Sequence, residues 1–166
     1  MRNLVGIPII ILSVVLQSSI VSRVPLLSGT ADLPLVILAA WALQDGVETS
    51  WHWALAAGLL VGFVSAIPFF VPIIGYLFII FVARVFQARV WQTPLLAMFL
   101  VCLIGTAFYH IVSLGTLRIL GTPLPILDSL GLFTLPSILL NLLLAIPVFA
   151  MMRDLARWVY PLPEFE

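Results

Sequence analysis

The stretch Pro94–Leu114 reads PLLAMFLVCLIGTAFYHIVSL, 21 residues without an Asp, Glu, Arg or Lys. A helix that crosses a bilayer needs about 20 mainly apolar residues, so this stretch predicts a membrane span. The whole chain has the same character, since 63% of its 166 residues are hydrophobic, 8% are charged and its mean hydropathy is +1.26. Soluble domains carry about 25% charged residues, and disordered chains are poor in apolar ones. The composition therefore indicates a polytopic membrane protein.

The charge balance and the cysteine count exclude further classes. Seven arginines balance seven acidic residues, and the sequence contains no lysine. With a net charge of zero and so few cations, no nucleic-acid partner is expected. The single cysteine excludes a disulfide framework and a cysteine-based zinc site.

Charged residues divide the chain into six apolar stretches, and none alternates between polar and apolar residues as a membrane β-strand would. We therefore predict an all-α bundle of about six transmembrane helices, forming a single transmembrane domain over residues 1–166. The second stretch is short. It can extend to Val47, tilt in a thinned bilayer or pack inside the bundle, and a five-span alternative makes it re-entrant. The stretches are Leu4–Val21, Leu33–Leu43, Trp53–Ile67, Ile73–Val90, Pro94–Leu114 and Leu135–Met152.

Local signals mark several helix starts and one tight turn. Asp32, Thr93 and Thr134 each precede a proline by one or two residues, which predicts that their side chains cap the helices that follow. Pro68 and Pro72 bracket three apolar residues between the third and fourth stretches. This short connection predicts an antiparallel hairpin of those two helices.

The placement of the arginines predicts the orientation in the membrane. With six spans, one side collects five arginines and both termini, and the other side collects two arginines. Because cytoplasmic loops are enriched in positive charge, both termini are expected in the cytoplasm. The longest loop, Gly115–Thr134, is then outside, either as a broken amphipathic segment along the membrane surface or as a simple connector. The larger set comprises Arg2, Arg84, Arg89, Arg153 and Arg157, and the smaller set Arg23 and Arg118.

The interiors of the predicted spans contain no obvious catalytic chemistry. An ionisable residue at membrane depth is a functional candidate, but no Asp, Glu, Arg or Lys lies in the middle of a clear span. We therefore expect no catalytic residue, no metal site and no cofactor. His110 is expected as a hydrogen-bonding residue near a membrane interface, and Cys102 as a small packing residue.

Uncharged polar and small residues are better placed for a role. Gln17 and Asn141 lie within predicted spans, where an unpaired amide is costly, so each should bond to another helix. Gly58 and Gly62 form a GxxxG step, at which a neighbouring helix can approach closely. These four residues are our candidate partner-binding residues. The alternative is that they hold the bundle together internally.

The order of several short motifs resembles the rod shape-determining MreD family of bacteria. The resemblance extends thinly over most of the chain, and its closest part is the Pro-Ser pair followed by Asn141 in the last span. The sequence departs from the family at Gly62, where the family has an acidic residue. The motifs are Leu16–Ser19, Ala31–Leu35, Gly58–Gly62, Gly75–Leu77, Leu135–Asn141 and Ala145–Pro147, followed by Arg153 and Arg157.

The resemblance implies a non-enzymatic scaffold in the bacterial inner membrane. Proteins of this family act with MreC in the cell-elongation machinery, which links MreB to peptidoglycan synthesis and maintains cell shape. Expected partners are an MreC-like single-span protein and other elongation proteins, including transpeptidase and glycosyltransferase components. The family's bundle is similar to the substrate-binding subunit of energy-coupling-factor transporters, so a vitamin-binding transporter subunit is the alternative function.

Overall fold

The computed structural model describes residues 6–47, 49–89, 93–122 and 125–160, and its regular elements within these ranges are helical. The predicted all-α class is thereby confirmed. A 3₁₀ turn at Val21–Arg23 follows α1, and a π-helical turn at Leu130–Thr134 joins α6 to α7. The helices are α1 Gly6–Ser19, α2 Leu33–Ala42, α3 Ser50–Val64, α4 Phe70–Arg89, α5 Pro94–Ile119, α6 Ile126–Ser129 and α7 Leu135–Val159.

Four helical segments are long and apolar enough to cross a membrane. α2 and α3 are apolar too, but they have 10 and 15 residues. The chain is therefore compatible with a multi-pass membrane protein, and the count of six spans stays a prediction. The four long segments are Gly6–Arg23, Phe70–Ala88, Pro94–Ile119 and Leu127–Val159.

The short helix α2 lies in the centre of the bundle. It contacts α1, α3, α4, α5 and α7, and every residue from Pro34 to Ala42 is buried. Of the arrangements open for the second stretch, the structure has the one in which it packs inside the bundle. A helix that is apolar all round is the sequence pattern that such a position requires.

Helices α3 and α4 form the predicted antiparallel hairpin. A Cβ added at Gly58 would lie 2.7 Å from the Cα of Ile73, and one added at Gly62 would lie 2.9 Å from the Cα of Phe69. Moving four residues forward along α3 thus moves four residues back along the chain, from Ile73 in α4 to Phe69 just before it. The two glycines let the helix backbones approach within a distance that any side chain would prevent.

Two of the three predicted caps are wrong. Asp32 does cap α2, because its carboxylate accepts the Leu35 N–H at 3.0 Å. Thr93 makes no side-chain capping bond, and Thr134 has helical backbone angles inside the continuous run from Ile126 into α7. The helix continues backward through Thr134, so its side chain is free to bond elsewhere.

The predicted surface loop Gly115–Thr134 is also wrong in its extent. α5 continues to Ile119, and the chain is helical again from Ile126. Pro136 has no N–H to donate to the carbonyl of Leu132 one turn earlier, and that carbonyl accepts the N–H of Ser28 at 3.2 Å instead. The segment between α1 and α2 is thereby attached to the start of α7.

The bundle has two distinct ends. The terminal end holds Gly6, which lies against Trp53, and Tyr160, whose ring centroid is 6.2 Å from that of Trp41. The opposite end, here named the cleft end, holds Ser19 and Leu135. Among the described arginines, Arg84, Arg153 and Arg157 lie toward the terminal end, and Arg23 and Arg118 toward the cleft end. Arg2, the start of the first predicted span at Leu4 and the end of the fourth at Val90 lie outside the described residues.

Candidate functional site

Because α2 is short and lies inside the bundle, the backbone N–H and C=O groups at its ends need hydrogen-bond partners from other helices. Ten residues at 1.5 Å each make a helix about 15 Å long, against about 30 Å for the hydrocarbon core. At least one end of α2 must therefore lie away from the membrane surfaces. Each helix end leaves backbone N–H or C=O groups without partners, and such groups cannot face lipid.

The two amides singled out in the sequence supply partners at the start of α2. Asn141 on α7 is fully buried, and its Oδ1 accepts the Asp32 N–H at 2.7 Å. Gln17 on α1 accepts the Leu33 N–H at 2.8 Å through its Oε1, and its Nε2 donates to the Ala31 carbonyl at 2.7 Å. Both amides thus join helices within the chain, as the internal interpretation expected.

The other end of the Asn141 amide is also engaged. Its Nδ2 donates to the Thr106 hydroxyl on α5 at 2.8 Å. Gly58 and Gly62 contact α4, as described above. All four candidate partner-binding residues therefore lie in contacts within the chain, and their contact with a partner stays a prediction.

The carboxylate of Asp32 is the centre of this polar cluster. It accepts the Leu35 N–H and the hydroxyl of Tyr76 on α4, at 3.0 Å to Oδ1 and 3.2 Å to Oδ2. Asp32 lies in the segment before α2. Burial raises the pKa of its carboxyl to about 6, and the hydrogen bonds from Leu35 and Tyr76 oppose that rise. Both bonds are donated to the carboxylate, and donors of this kind favour its ionised form.

A cleft of about 400 Å³ opens beside this carboxylate. Its size falls within the range of small-molecule sites, about 300–1,000 Å³. α1, α3, α4, α5 and the segment before α2 all contribute to its wall, so several helices must pack together to form it. It is lined by Val14, Gln17, Ser18, Ser22, Thr30, Ala31, Asp32, Val61, Val64, Ser65, Tyr76, Tyr109 and His110.

Aromatic rings form one wall of the cleft. Tyr76 and Tyr109 stack with ring centroids 5.9 Å apart and an interplanar angle of 23°. Gly75 allows this, because a Cβ there would overlap the Tyr109 ring. His110 also lines the cleft, and its Nδ1 lies 3.1 Å from the Thr134 hydroxyl. The expectation that His110 is a hydrogen-bonding residue is confirmed.

A second set of polar side chains, Arg84 and Gln87, forms hydrogen bonds near the other end of α2, and the sequence pattern did not predict it. Arg84 on α4 donates to the Val47 carbonyl and, at 3.0 Å, to the Ser50 hydroxyl. Gln87 donates to the Gln44 carbonyl at 2.9 Å. The signal was available, since Arg84 and Gln87 are three residues apart and share one face of α4. Their partners, however, are backbone atoms of a loop that no sequence pattern identifies.

Within the described ranges, no three His, Cys, Asp or Glu side chains come together in a group that could hold a metal ion. Cys102 is a buried free thiol. The site's chemistry is therefore that of Asp32, the two tyrosines and the amides.

Comparisons with known proteins add no family to this description. No protein-family model, curated protein or solved structure matches the chain.

Proposed function

We propose that the chain is a non-enzymatic scaffold of the bacterial cell-elongation complex, which binds an MreC-like single-span protein and supports peptidoglycan synthesis and cell shape. It acts as a multi-pass protein of the inner membrane with both termini in the cytoplasm. The resemblance of its motif order to the MreD family motivates this proposal. The accompanying elongation proteins, including the MreB-linked and transpeptidase or glycosyltransferase components, are further proposed partners.

The packing of α1 is the structural observation that supports a partner helix. Its spanning window is 17% buried, against 33–44% for the other three long segments. Ile7, Ile11 and Val15 are each about half exposed and follow one another at four-residue spacing, so they form one ridge on the helix surface. A partner's transmembrane helix can pack on this ridge without displacing any helix of the chain.

Site-specific photo-crosslinking in the host cell tests this assignment. Benzoylphenylalanine replaces Ile11 on the ridge or, as the matched control, Leu143 on α7, which is 69% exposed. We expect the MreC homologue to crosslink from position 11 and not from position 143. The same homologue should co-purify with the wild-type chain after mild detergent extraction.

Two results together contradict the scaffold proposal. The first is that no MreC homologue is captured by crosslinking or co-purification. The second is that deletion of the gene leaves cell shape normal. If the MreC homologue is crosslinked from position 143 and not from position 11, the partner assignment stands, and the interface lies on α7 rather than on α1.

The cleft supports a second candidate, a small-molecule-binding subunit of a membrane transporter, with a vitamin as ligand. The supporting observation is a cavity of about 400 Å³ with several polar groups in its wall. A thermal-shift screen of the purified protein with water-soluble vitamins tests it.

The control for that screen is a variant that fills the cleft. Val64 lines the cleft and is 64% exposed, so Val64→Trp places a large side chain in the opening without changing the core. A genuine ligand raises the melting temperature of the wild type and of Leu143→Trp, but not of Val64→Trp. If no vitamin shifts the wild type, the transporter-subunit candidate is rejected.

A further inference from the structure

The capping role of Asp32 explains its charge only in part, because the dipole of α2 favours a carboxylate at this end only modestly. Asparagine and serine cap helices as well as aspartate does. An ionised group within a membrane bundle is costly and is normally paired. The described residues that line the cleft include no arginine. Asp32 is therefore held by neutral donors, the Leu35 N–H and the Tyr76 hydroxyl.

The carboxylate has capacity left for another donor. Two carboxylate oxygens offer about four lone-pair positions. Oδ1 accepts from Leu35 and Tyr76, and Oδ2 accepts a longer bond from the same Tyr76 hydroxyl. Asp32 is partly exposed as a residue and lines the cleft, so a further donor would approach it from there.

The neighbouring wall also suits a positive charge. Two largely buried tyrosine side chains, Tyr76 and Tyr109, line the cleft beside the carboxylate and bring no positive charge that would repel a cation. Of the described residues that line the cleft, His110 is the one whose side chain can carry a positive charge. Its Nδ1 lies at hydrogen-bond distance from the Thr134 hydroxyl. A carboxylate with an unused acceptor position, in a cleft whose described lining holds no arginine, is a combination that recognises an ammonium group.

We propose that the cleft binds a ligand with an ammonium group, which donates to the Asp32 carboxylate. The proposal rests on the small-molecule candidate above, because it names the ligand class of the same cleft. Two sources share this chemistry, the headgroup of an ethanolamine phospholipid and a soluble amine. A cleft of about 400 Å³ is large enough for the ammonium group of either.

Lipid and soluble arms of one experiment separate the sources. In the lipid arm, the protein is exchanged into bicelles with equal amounts of phosphatidylethanolamine and phosphatidylglycerol, and retained lipids are counted by native mass spectrometry. In the soluble arm, O-phosphoethanolamine or sn-glycerol 3-phosphate is added to protein in phosphatidylglycerol nanodiscs, and the melting temperature is measured. Each pair differs in the ammonium group and keeps the phosphate.

Three variants connect the result to the cleft. Asp32→Asn keeps a capping oxygen and removes the charge. Asp128→Asn is the matched control, since it removes an exposed carboxylate near the same end of the bundle. Val64→Trp blocks the opening and keeps the proposal testable if Asp32→Asn does not fold.

We expect the wild type to prefer the ammonium member of at least one pair by about tenfold, which corresponds to 1.4 kcal/mol. That preference should disappear in Asp32→Asn and Val64→Trp and persist in Asp128→Asn. Preference in the lipid arm identifies a phospholipid headgroup, and preference in the soluble arm alone identifies a free amine. Equal binding within both pairs overturns the inference, as does a preference that survives both cleft variants.

The failure of this inference is distinguishable from failure of the transporter candidate. If riboflavin or biotin, which have no ammonium group, stabilises the wild type but not Val64→Trp, the cleft is a ligand site and the ammonium assignment is wrong. If neither the vitamins nor the amines stabilise the protein and no lipid is retained selectively, both proposals fail.

Discussion

Asn141→Leu is the substitution that most directly tests how the bundle is held together. The side chain is fully buried and joins three segments, because it accepts the Asp32 N–H and donates to Thr106 on α5. Leucine has a similar volume and no polar atom, so the change removes both bonds without leaving a large cavity. We expect the variant to fold with a reduced free energy of unfolding.

The expected cost follows from the fate of each former partner. The Asp32 N–H loses its acceptor inside the bundle, and an orphaned buried donor costs about 1–3 kcal/mol. The Thr106 hydroxyl can turn toward the carbonyl one helical turn earlier, so its loss is that of an average interhelical bond in a membrane protein, about 0.6 kcal/mol. The sum is a destabilisation of about 1.6–3.6 kcal/mol.

Reversible unfolding in mixed micelles, followed by circular dichroism and tryptophan fluorescence, measures this cost. The double variant Asn141→Leu/Thr106→Val is the control, because its second change removes a hydroxyl whose partner is already gone. We expect it to be within about 0.5 kcal/mol of the single variant, as for groups in one network. A single variant as stable as the wild type refutes the internal role, and loss of MreC-homologue binding in such a variant returns Asn141 to a partner interface.

Three further changes test other parts of the fold. Gly58→Ala should destabilise the protein by about 1–3 kcal/mol, because the new Cβ would lie 2.7 Å from the Cα of Ile73. Gly115→Ala should stabilise it by about 0.5–1 kcal/mol, because nothing lies within 4 Å of the new Cβ. Thermal melts that rank the two variants in the reverse order contradict this packing. Arg84→Gln should lower the free energy of unfolding by at least about 2 kcal/mol, since it removes charge-assisted bonds to the Val47 carbonyl and the Ser50 hydroxyl. Amide hydrogen exchange at residues 43–47 should become faster, and unchanged exchange there contradicts this role of Arg84. Leu27→Gly should raise the melting temperature, because glycine relieves about 1–2 kcal/mol of backbone strain at φ +56°. The greater chain entropy of glycine in the unfolded state offsets only about 0.5–1 kcal/mol of this gain. A lowered melting temperature contradicts the prediction.

The features of the fold that depend on local chemistry could be predicted from the sequence. Runs of apolar residues predicted the helices, and the short connection around Pro68 predicted the α3–α4 hairpin, because both depend on residues close together in the chain. The caps at Thr93 and Thr134 were predicted wrongly. A polar residue before a proline signals a helix start only if the chain is not helical before it, and at Thr134 the preceding residues are helical.

The candidate site could be predicted only in part, because its geometry depends on contacts distant in sequence. Gln17 and Asn141 were found because an amide in a hydrocarbon environment needs a partner. Tyr76 and Tyr109 were not singled out, since a tyrosine in a span is compatible with many positions. Their stacking depends on the register of α4 against α5, which the apolar pattern does not specify.

The length of α2 gives these observations a common cause. A helix of ten residues inside the bundle carries unpaired N–H groups at Asp32, Leu33 and Leu35 and unpaired carbonyls near its other end, and neither set can be left to lipid. Asn141 and Gln17 accept the N–H groups of Asp32 and Leu33, and Asp32 itself accepts that of Leu35. At the other end Gln44 donates to the Ala40 carbonyl, while Gln87 and Arg84 bond to carbonyls of the loop that follows. The amide side chains and Arg84 can be explained by the fold alone. The fold alone does not explain the charge of Asp32, since a neutral capping residue would accept the same Leu35 N–H. The Asp32 carboxylate is therefore the feature of this cluster that a bound ligand would best explain.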